Sequence, residues 1–362
     1  MNPRDLSNNP EYVPGRGAVA VARERGLDPA DMIAVASNEN ALGPAPAAVE
    51  ALRAAADSVH RYPKSTFVDL RSAIADRWDL ASEQIWLANG GDAALDYLAR
   101  AMLDPGDSVL VPDPGFAYYE MSARFHHGTA DTYAINRADD FTLAPETVLS
   151  GYQGQRIVYL TSPHNPTGAV CSVGDIEAIA RQTDSETLIV VDEAYGEFSG
   201  VDSAIDLISS RDDVAVLRSF SKSYGLAGLR LGYAVVPDSW ADAFTRVNTP
   251  FAASDLACRA GLAALTDSEH LEATIKMAKS GRQQLRDGLY ADTWPSGGNF
   301  VLAAVEDGTL VADRLMDRGI VVRDCSSFGL PDCIRITVAP TEPLQRVIEA
   351  CNDVVSEGGF GG

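Results

Sequence analysis

The sequence predicts an α/β protein in which helices sandwich a mostly parallel central sheet in a large domain, with a smaller α+β domain beside it. Three observations lead to this prediction. The 362 residues are enough for about two domains. Short apolar, β-branched runs alternate with helical patterns through the middle of the chain, and this alternation stops near residue 250. Hydrophobic residues make up 46% and charged residues 22% of the chain, which is typical of globular proteins.

Six apolar runs predict strands. Several are continuously apolar rather than alternating, as is typical of strands covered on both faces. Helical patterns lie between them, and this order favours a parallel sheet with helices on both sides. The predicted strands are Gln84–Asn89, Ser108–Pro112, Arg156–Thr161, Thr187–Asp192, Val214–Ser219 and Leu229–Val236, and the clearest helices between them are Asp92–Leu103, Tyr118–Phe125 and Val173–Arg181.

The pattern of the last third of the chain differs. One long helical pattern covers Ser254–Tyr290. Three short strands and two helices follow, at Asn299–Val305, Leu310–Arg318, Ile320–Arg323, Cys333–Val338 and Pro343–Val355. We therefore expect a large domain over residues 39–249 and a small domain over residues 1–38 and 250–362. The glycine-rich tail at residues 357–362 is expected to be frayed.

Composition argues against several classes of partner. The net charge is −22, and such a field repels nucleic acid and anionic membranes. No apolar run approaches the ~18 residues that cross a bilayer, and no secretory signal is recognisable at the start. The five cysteines are scattered without paired spacing, which indicates reduced thiols. We expect a cytoplasmic protein.

Four familiar motifs do not apply. Gly15–Ala20 matches a dinucleotide-binding pattern, but it does not follow a predicted strand, so we interpret it as a loop entering a helix. No phosphate-binding loop of the Walker type and no serine nucleophile elbow is present. The pair His126-His127 has no carboxylate or cysteine at ligand spacing, so we expect no metal site.

Four predicted strand ends carry chemically active residues. In a doubly wound sheet, ligands bind outside the carboxyl ends of the strands, so these segments should converge on one site. Each segment alone is ambiguous, since Asn-Pro-Thr-Gly also fits a turn and an Asp after a strand also fits a helix cap. The segments are Asn89–Asp92, Ser162–Gly168, Asp192–Tyr195 and Ser219–Arg230.

Lys222 favours one chemistry. It is one of only four lysines, in a loop rich in Ser and Gly that also contains Arg230. A lysine near another cation is activated as a nucleophile toward aldehydes. A lysine of this kind, a strand-end carboxylate and a glycine turn that can bind an anion together suggest pyridoxal phosphate.

With these residues in view, the sequence resembles the class I/II aminotransferases of fold type I, and within them the histidinol-phosphate aminotransferases. The resemblance covers nearly the whole chain. It rests on Tyr12–Gly15, Ser37–Pro44, Arg61–Pro63, Ser219–Arg230, Pro295–Phe300 and Ile334–Val338.

The resemblance implies roles for the central residues. Lys222 would hold the cofactor aldehyde and then move a proton at the substrate Cα. Asp192 would keep the pyridine nitrogen protonated. Tyr195 and Asn165 would donate hydrogen bonds to the phenolic oxygen, and Phe116 would stack on the ring.

The resemblance also implies how the cofactor phosphate is held. It would lie at the N-terminus of the helix that begins at Asp92. A tyrosine of a second copy of the chain would reach the same phosphate, which implies a homodimer. The residues concerned are Gly91, Asp92, Ala93, Ser219, Ser221 and Arg230, with Tyr62 contributed to the neighbouring subunit.

For the substrates, the resemblance points to Arg335, Arg323, Tyr12 and Asn165. Arg335 would bind the α-carboxylate of the amino donor, and it would also accept a substrate phosphate because a guanidinium group suits both anions. Arg323 would be a second phosphate ligand, and Tyr12 would close the pocket. The expected reaction interconverts L-histidinol phosphate plus 2-oxoglutarate and imidazole acetol phosphate plus L-glutamate.

Other functions on the same fold stay open. A threonine-phosphate decarboxylase shares the asparagine-rich opening and the Arg-Tyr-Pro motif, although its lysine loop usually lacks a run like Gly225–Gly228. An aromatic-amino-acid aminotransferase is a third candidate. A transcription regulator with an aminotransferase domain would need a basic surface, which a net charge of −22 does not provide.

We predict that the protein is stabilised by salt, because an acidic, lysine-poor surface repels itself and the Debye length falls to about 3 Å at 1 M salt. The melting temperature should rise between dilute buffer and molar potassium chloride. An unchanged melting temperature would favour the alternative, an acidic protein that its charge merely keeps in solution.

Overall fold

The computed structural model describes residues 6–7, 9–63 and 65–357. Its strands are β1 (Ile33–Ala34), β2 (Ile85–Ala88), β3 (Ser108–Asp113), β4 (Thr129–Ala134), β5 (Ile157–Thr161), β6 (Leu188–Asp192), β7 (Val214–Ser219), β8 (Gly232–Val235), β9 (Phe300–Ala304), β10 (Ile320–Val321), β11 (Arg323–Asp324) and β12 (Cys333–Thr337). Its helices are α1 (Ala18–Arg25), α2 (Pro46–Ala55), α3 (Ser65–Trp78), α4 (Gly90–Met102), α5 (Tyr118–Phe125), α6 (Pro145–Leu149), α7 (Val173–Ala180), α8 (Gly196–Ser199), α9 (Ile205–Ile208), α10 (Phe244–Val247), α11 (Asp255–Thr266), α12 (Ser268–Gly288), α13 (Gly308–Asp317) and α14 (Thr341–Glu357). Apart from Glu357, the tail predicted to be frayed lies outside the described residues.

A seven-stranded sheet forms the centre of the protein, in the order β2-β8-β7-β6-β5-β3-β4. Strand β8 is antiparallel to its neighbours β2 and β7, and the other pairs are parallel. Among the described helices, none is long and apolar enough to span a membrane. The predicted mostly parallel α/β sheet is confirmed.

Both faces of this sheet are buried. Successive residues of β5 divide between two apolar clusters: Val158 packs with α7, α9 and α11 on one face, and Tyr159 packs with α4 and α5 on the other. Burying a large apolar side chain contributes roughly 1.5–3 kcal/mol, so a strand covered on both sides gains from almost every residue. This is why the predicted runs are continuously apolar.

Strand β4 was not predicted. It lies at the edge of the sheet, pairs only with β3 among the described strands, and leaves most of its residues exposed or partly exposed. Its sequence, Thr-Ala-Asp-Thr-Tyr-Ala, therefore lacks the apolar run that identifies a central strand. Only Tyr133 of this strand is buried.

The long helix predicted over residues 254–290 is two helices, so that prediction is wrong. Asp267 ends α11 and also caps α12, where its side chain accepts a hydrogen bond from the backbone N–H of His270. An Asp at a helix N-cap stabilises a new start because it satisfies an otherwise unpaired N–H group. The predicted strand over residues 229–236 is also shorter, because Arg230 has a left-handed backbone with φ of 51° and β8 begins only at Gly232.

A second, smaller region contains the antiparallel sheet β11-β12-β9 and the helices α12, α13 and α14. Residues before position 38 contribute to it, since β1 pairs in parallel with β10. Helix α11, however, packs on α2 and α3 rather than on the small sheet. The domain limits at residues 39, 249 and 250 stay a prediction, and this packing favours a boundary after α11.

Candidate active site

A cavity of about 520 Å³ lies at the carboxyl ends of the central parallel strands and is bordered by the small sheet. The structure brings most of the predicted site residues to its wall. Those lining it are Tyr12, Gly91, Asp92, Phe116, Asn165, Asp192, Tyr195, Ser219, Ser221, Lys222, Arg230, Arg323 and Arg335. Ala93 follows on the first turn of α4, and Tyr62 lies elsewhere on the surface.

One end of the cavity is built for an anion. Helix α4 begins at Gly90, two residues earlier than predicted, and its first N–H groups have no partner within the helix. Gly90 has φ of 86°, and a Cβ atom there would lie 2.5 Å from Nη2 of Arg230. A Cβ on Gly232 would come within 2.7 Å of the backbone of Gly90 and Gly91. The absence of these side chains lets Arg230 and β8 approach the helix start.

Polar groups complete this end. Arg230 donates to a carboxylate oxygen of Asp92 at 3.2 Å. Ser219 ends β7, and its hydroxyl accepts a hydrogen bond from the backbone N–H of Ser221 at 3.0 Å. Both serines are nearly buried. The end therefore offers helix N–H groups, two hydroxyls and a guanidinium group, which is the donor set that a phosphate requires.

Asp192 lies at the end of β6, at the other end of this wall. The hydroxyl of Tyr119 donates to its Oδ2 at 2.7 Å, and the backbone N–H of Ala194 donates to its Oδ1 at 2.9 Å. The hydroxyl of Tyr119 also bonds that of Thr161 at 2.8 Å. Burial raises the pKa of Asp192 to about 6, while these donated hydrogen bonds oppose the rise.

Lys222 and Tyr195 both line the cavity and lie next to each other. The Nζ of Lys222 lies 5.6 Å from the ring centroid of Tyr195 and donates to the backbone oxygen of Ser37 at 3.3 Å. The hydroxyl of Tyr195 accepts a hydrogen bond from Nδ2 of Asn38 at 3.0 Å. Lys222, Tyr195 and Asp192 therefore line one cavity.

Two buried arginines approach from the small sheet. The antiparallel register of β11 and β12 places Arg323 directly opposite Arg335. Arg335 donates to Oδ1 of Asn165 and to the backbone oxygen of Ala36. Arg323 donates to the backbone oxygen of Val13 and the hydroxyl of Ser327.

This arginine pair has no carboxylate partner within ion-pair distance in the described ranges. The Nε of Arg335 is buried without any hydrogen-bond partner among the same residues, and burial lowers the pKa of its guanidinium group. A buried charge is costly unless it is paired. Two buried cations that lack a carboxylate partner and line a cavity thus form a site for an anion.

The predicted aromatic residues occupy different places. Phe116 lines the cavity and meets Tyr119 edge to face, with ring centroids 5.5 Å apart. Tyr12 meets Phe116 edge to face at 6.0 Å from the N-terminal segment. Tyr62 is 69% exposed and stacks on Phe251, itself 51% exposed, at 4.3 Å. Within a single chain, Tyr62 does not line the cavity.

Sequence reasoning missed the residues that hold the predicted ones in place. Tyr119 is one of two successive tyrosines on α5, and a buried aromatic on an amphipathic helix looks like ordinary core. Arg218 is fully enclosed and pairs with Glu193 and Glu197 at 2.6 and 2.7 Å. The ion pair between Arg218 and Glu193 therefore joins the end of β7, next to Ser219, to the end of β6, next to Asp192.

A family model, aminotransferase class I and II, matches residues 30–351. The chain belongs to this family. Among curated relatives, the histidinol-phosphate aminotransferase of Haloarcula marismortui is 58% identical over 357 residues, which are 99% of each chain. The enzyme of the same name from Natronomonas pharaonis is 59% identical over 355 residues, covering 98% of this chain and all of the relative.

A solved structure agrees with these relatives. The histidinol-phosphate aminotransferase from Sinorhizobium meliloti, in complex with pyridoxal-5'-phosphate, has a TM-score of 0.85 and 28% identity, covering 95% of this chain and 96% of that one. This aminotransferase therefore has the fold type I architecture that the sequence predicted. The cavity described above also fits the predicted cofactor, since a phosphate donor set, a buried carboxylate and a lysine line one space.

We predict that Asp192→Asn stabilises the cofactor-free aminotransferase at neutral pH. The folded pKa of about 6 exceeds the ordinary value of 3.8, so the folded state binds more protons than the unfolded state between these values. Stability is therefore lost as the pH rises through this window. A shift of this size corresponds to at most roughly 3 kcal/mol, and the neutral amide avoids that cost.

The check is thermal melting of the cofactor-free protein at pH 5 and pH 8. The variant should exceed the wild type by more at pH 8 than at pH 5, while binding cofactor poorly. The exposed Asp139→Asn removes the same charge and should show no such difference. An Asp192→Asn protein that melts no higher than the wild type at pH 8 would contradict the prediction.

Proposed function

We propose that this chain transfers an amino group between L-histidinol phosphate and 2-oxoglutarate, giving imidazole acetol phosphate and L-glutamate, as a step of histidine biosynthesis. The observation that carries the proposal is the buried arginine pair Arg323–Arg335, which has no carboxylate partner in the described residues. The near-full-length relatives named for this activity, 52–59% identical, support it.

The cofactor is pyridoxal 5'-phosphate, which supplies the electron sink that makes the substrate Cα–H acidic. Lys222 would bind its aldehyde carbon through Nζ. As a free amine, Lys222 would hold and move the proton at the substrate Cα. Its present hydrogen bond to the backbone oxygen of Ser37 is weak at 3.3 Å, so the amine can leave it.

The cofactor ring would lie between Phe116 and the sheet. Asp192 would hold a proton on the pyridine nitrogen, and the donors Tyr119 and Ala194 help to keep that carboxylate ionised. Tyr195 and Asn165 would donate to the phenolic oxygen, and both line the same cavity. These three polar residues act by fixing charge on the ring rather than by forming bonds to the substrate.

The cofactor phosphate would lie at the start of α4. Its binding residues would be the backbone groups of the first turn, two hydroxyls and one guanidinium group: Gly91, Asp92, Ala93, Ser219, Ser221 and Arg230. A phosphate there would compete with Asp92 for Arg230. These groups would anchor the cofactor by its phosphate.

The substrate anion would bind the arginine pair. Arg335 would bind the α-carboxylate of glutamate and the phosphate of histidinol phosphate in turn, because the paired N–H donors of a guanidinium group suit both anions. Arg323 would add two donors for the larger dianion. Tyr12 would cover the substrate, and the bond from Arg323 to the backbone oxygen of Val13 ties that segment to the anion site.

The proposal includes a homodimer in the cytoplasm. Tyr62 and Phe251 form a stacked, exposed aromatic pair, and such a patch favours a protein partner. A second copy would cover it and receive Tyr62 at its phosphate end. The five cysteines are buried and unpaired, which supports a reducing compartment. No nucleic acid or membrane is expected to bind.

The two rival activities have less support. Threonine-phosphate decarboxylase and aromatic-amino-acid aminotransferase use the same fold, but the curated relatives with more than 50% identity are named for histidinol phosphate. An aromatic substrate without phosphate would also leave one of the two buried arginines unpaired, at a cost in affinity.

We predict that histidinol phosphate alone converts the cofactor of the purified holoenzyme from the pyridoxal to the pyridoxamine form, because the arginine pair binds its phosphate. The absorbance of the cofactor is followed after mixing, without any keto acid. Phenylalanine and threonine phosphate are tested in parallel and should react more slowly, with no release of carbon dioxide.

The Arg323→Ala variant should slow this half-reaction by about 100-fold, since a hydrogen bond to a charged group contributes roughly 1.5–3 kcal/mol. Arg346→Ala removes the same charge from an exposed position of α14 and should react like the wild type. Faster conversion by phenylalanine would refute the proposed substrate, and carbon dioxide from threonine phosphate would move the enzyme to the decarboxylases.

A further inference from the structure

Three successive residues before the large domain each contact one functional side chain of the site. The segment has no catalytic group of its own, yet it reaches the substrate anion site, the nucleophile and the phenol within three positions. The contacts join the backbone oxygen of Ala36 to Arg335 at 2.8 Å, the backbone oxygen of Ser37 to Lys222 at 3.3 Å, and Nδ2 of Asn38 to the hydroxyl of Tyr195 at 3.0 Å.

Asn38 is held more firmly than a loop residue needs to be. It is 1% exposed and has a left-handed backbone with φ of 54°, a conformation that costs energy for a residue other than Gly. Its backbone N–H donates to the hydroxyl of Thr337 at 2.9 Å, and its backbone oxygen accepts from Nδ2 of Asn299 at 3.1 Å. Strand β12 and the segment before β9 therefore fix its position.

The same contacts fix which way the Asn38 amide points. The hydroxyl of Thr337 has one proton, and it already accepts the backbone N–H of Asn38. It therefore donates to the amide oxygen of Asn38, at 3.1 Å. A reversed amide would place two donors on this hydroxyl and leave its proton without an acceptor. The amide nitrogen is thus directed at Tyr195.

This orientation decides where the proton of Tyr195 points. An amide N–H₂ group donates and cannot accept, so the phenol oxygen must receive the bond from Asn38. No other hydrogen bond to this hydroxyl is present among the residues that the structure describes. Its own proton is left to face the cavity that Tyr195 lines, where the phenolic oxygen of the cofactor would lie.

We propose that Asn38 is a positioning residue that directs the hydroxyl proton of Tyr195 at the phenolic oxygen of the cofactor. The inference rests on the proposed function, which gives Tyr195 that contact. Because Thr337 orients Asn38 and lies two positions from Arg335 on β12, the strand that carries the anion site also fixes the direction of this hydrogen bond.

The test uses Asn38→Asp, which has the same shape but an acceptor in place of the donor. Tyr195 would then donate to the new carboxylate and turn its proton away from the cofactor. The phenolic oxygen would lose a donor, so the lysine-bound cofactor should keep its proton to higher pH. The readout is the pH at which the visible absorbance band of the substrate-free holoenzyme changes, and we expect it to rise by ~1 unit.

A new negative charge alone would shift this pH in the same direction, so the change is repeated in Tyr195→Phe. The other charged groups facing Tyr195 are Lys222 and Arg335, and both are present in every variant. If Asn38 acts through the hydroxyl, the extra shift caused by Asn38→Asp should fall to less than half when Tyr195 is Phe. An equal shift in both backgrounds would overturn the proposal, because it would show a simple charge effect.

Two further variants serve as controls. Asn40→Asp makes the same change on an amide that donates to the backbone oxygen of Ser223 and the hydroxyl of Thr274, and it should shift the pH less than Asn38→Asp. Asn38→Gly keeps the left-handed backbone but removes the amide. It should raise the pH of the absorbance transition by less than Asn38→Asp does. Its melting temperature should also be closer to that of the wild type than the melting temperature of Asn38→Asp is. No shift in Asn38→Asp would also overturn the proposal.

Failure of the underlying assignment gives a different result. If Tyr195→Phe alone leaves the absorbance transition at the wild-type pH, Tyr195 does not contact the phenolic oxygen, and its proposed role and this inference are refuted together. If Tyr195→Phe raises it and the two backgrounds respond equally to Asn38→Asp, only the inference about Asn38 is overturned.

Discussion

The site depends on two positive charges that are buried opposite each other on the neighbouring strands β11 and β12. Arg323 and Arg335 are cross-strand partners, an arrangement that costs stability for like charges. The described residues provide them with carbonyl and amide oxygens and with the faces of Phe300 and Phe328, at 5.3–5.8 Å, but with no carboxylate. The positive charge of this pair is therefore not neutralised by any carboxylate of the described residues. Under the proposed function, the phosphate of one substrate and the carboxylate of the other would supply that charge in turn.

The contrast with Arg218 shows that this is a property of the site rather than of burial. Arg218 is as deeply buried, yet Glu193 and Glu197 neutralise it, and it connects two strand ends without facing the cavity. At the phosphate end, Arg230 has a single carboxylate partner at the longer distance of 3.2 Å. These four arginines therefore differ in their carboxylate partners: Arg218 has two, Arg230 has one, and Arg323 and Arg335 have none among the described residues.

The sequence was sufficient to predict which polar residues line the cavity, because these residues directly follow long apolar runs and parallel strands bring such ends together. It was not sufficient to find what orients them. Tyr119 lies within an amphipathic helix, where its spacing is that of a core aromatic, and only the fold brings its hydroxyl to Asp192. Asn38 stands in a recognised motif, but its proposed role depends on a hydrogen bond from Thr337, nearly 300 positions away. Strand β4 was not predicted because it is an exposed edge strand, which does not require a continuous run of apolar residues. The cross-strand register of the two arginines cannot be read from the sequence either, because it depends on how β11 and β12 pair.

The central claim is that the arginine pair recognises the substrate phosphate, and one comparison tests it directly. Histidinol and histidinol phosphate carry the same amine and imidazole and differ only in the phosphate. Their single-turnover rate constants for converting the cofactor of the holoenzyme should differ by at least about 100-fold in favour of the phosphate ester, since each hydrogen bond to a charged group contributes roughly 1.5–3 kcal/mol. Rate constants within a few-fold of each other would contradict this account and leave the two buried arginines without a function.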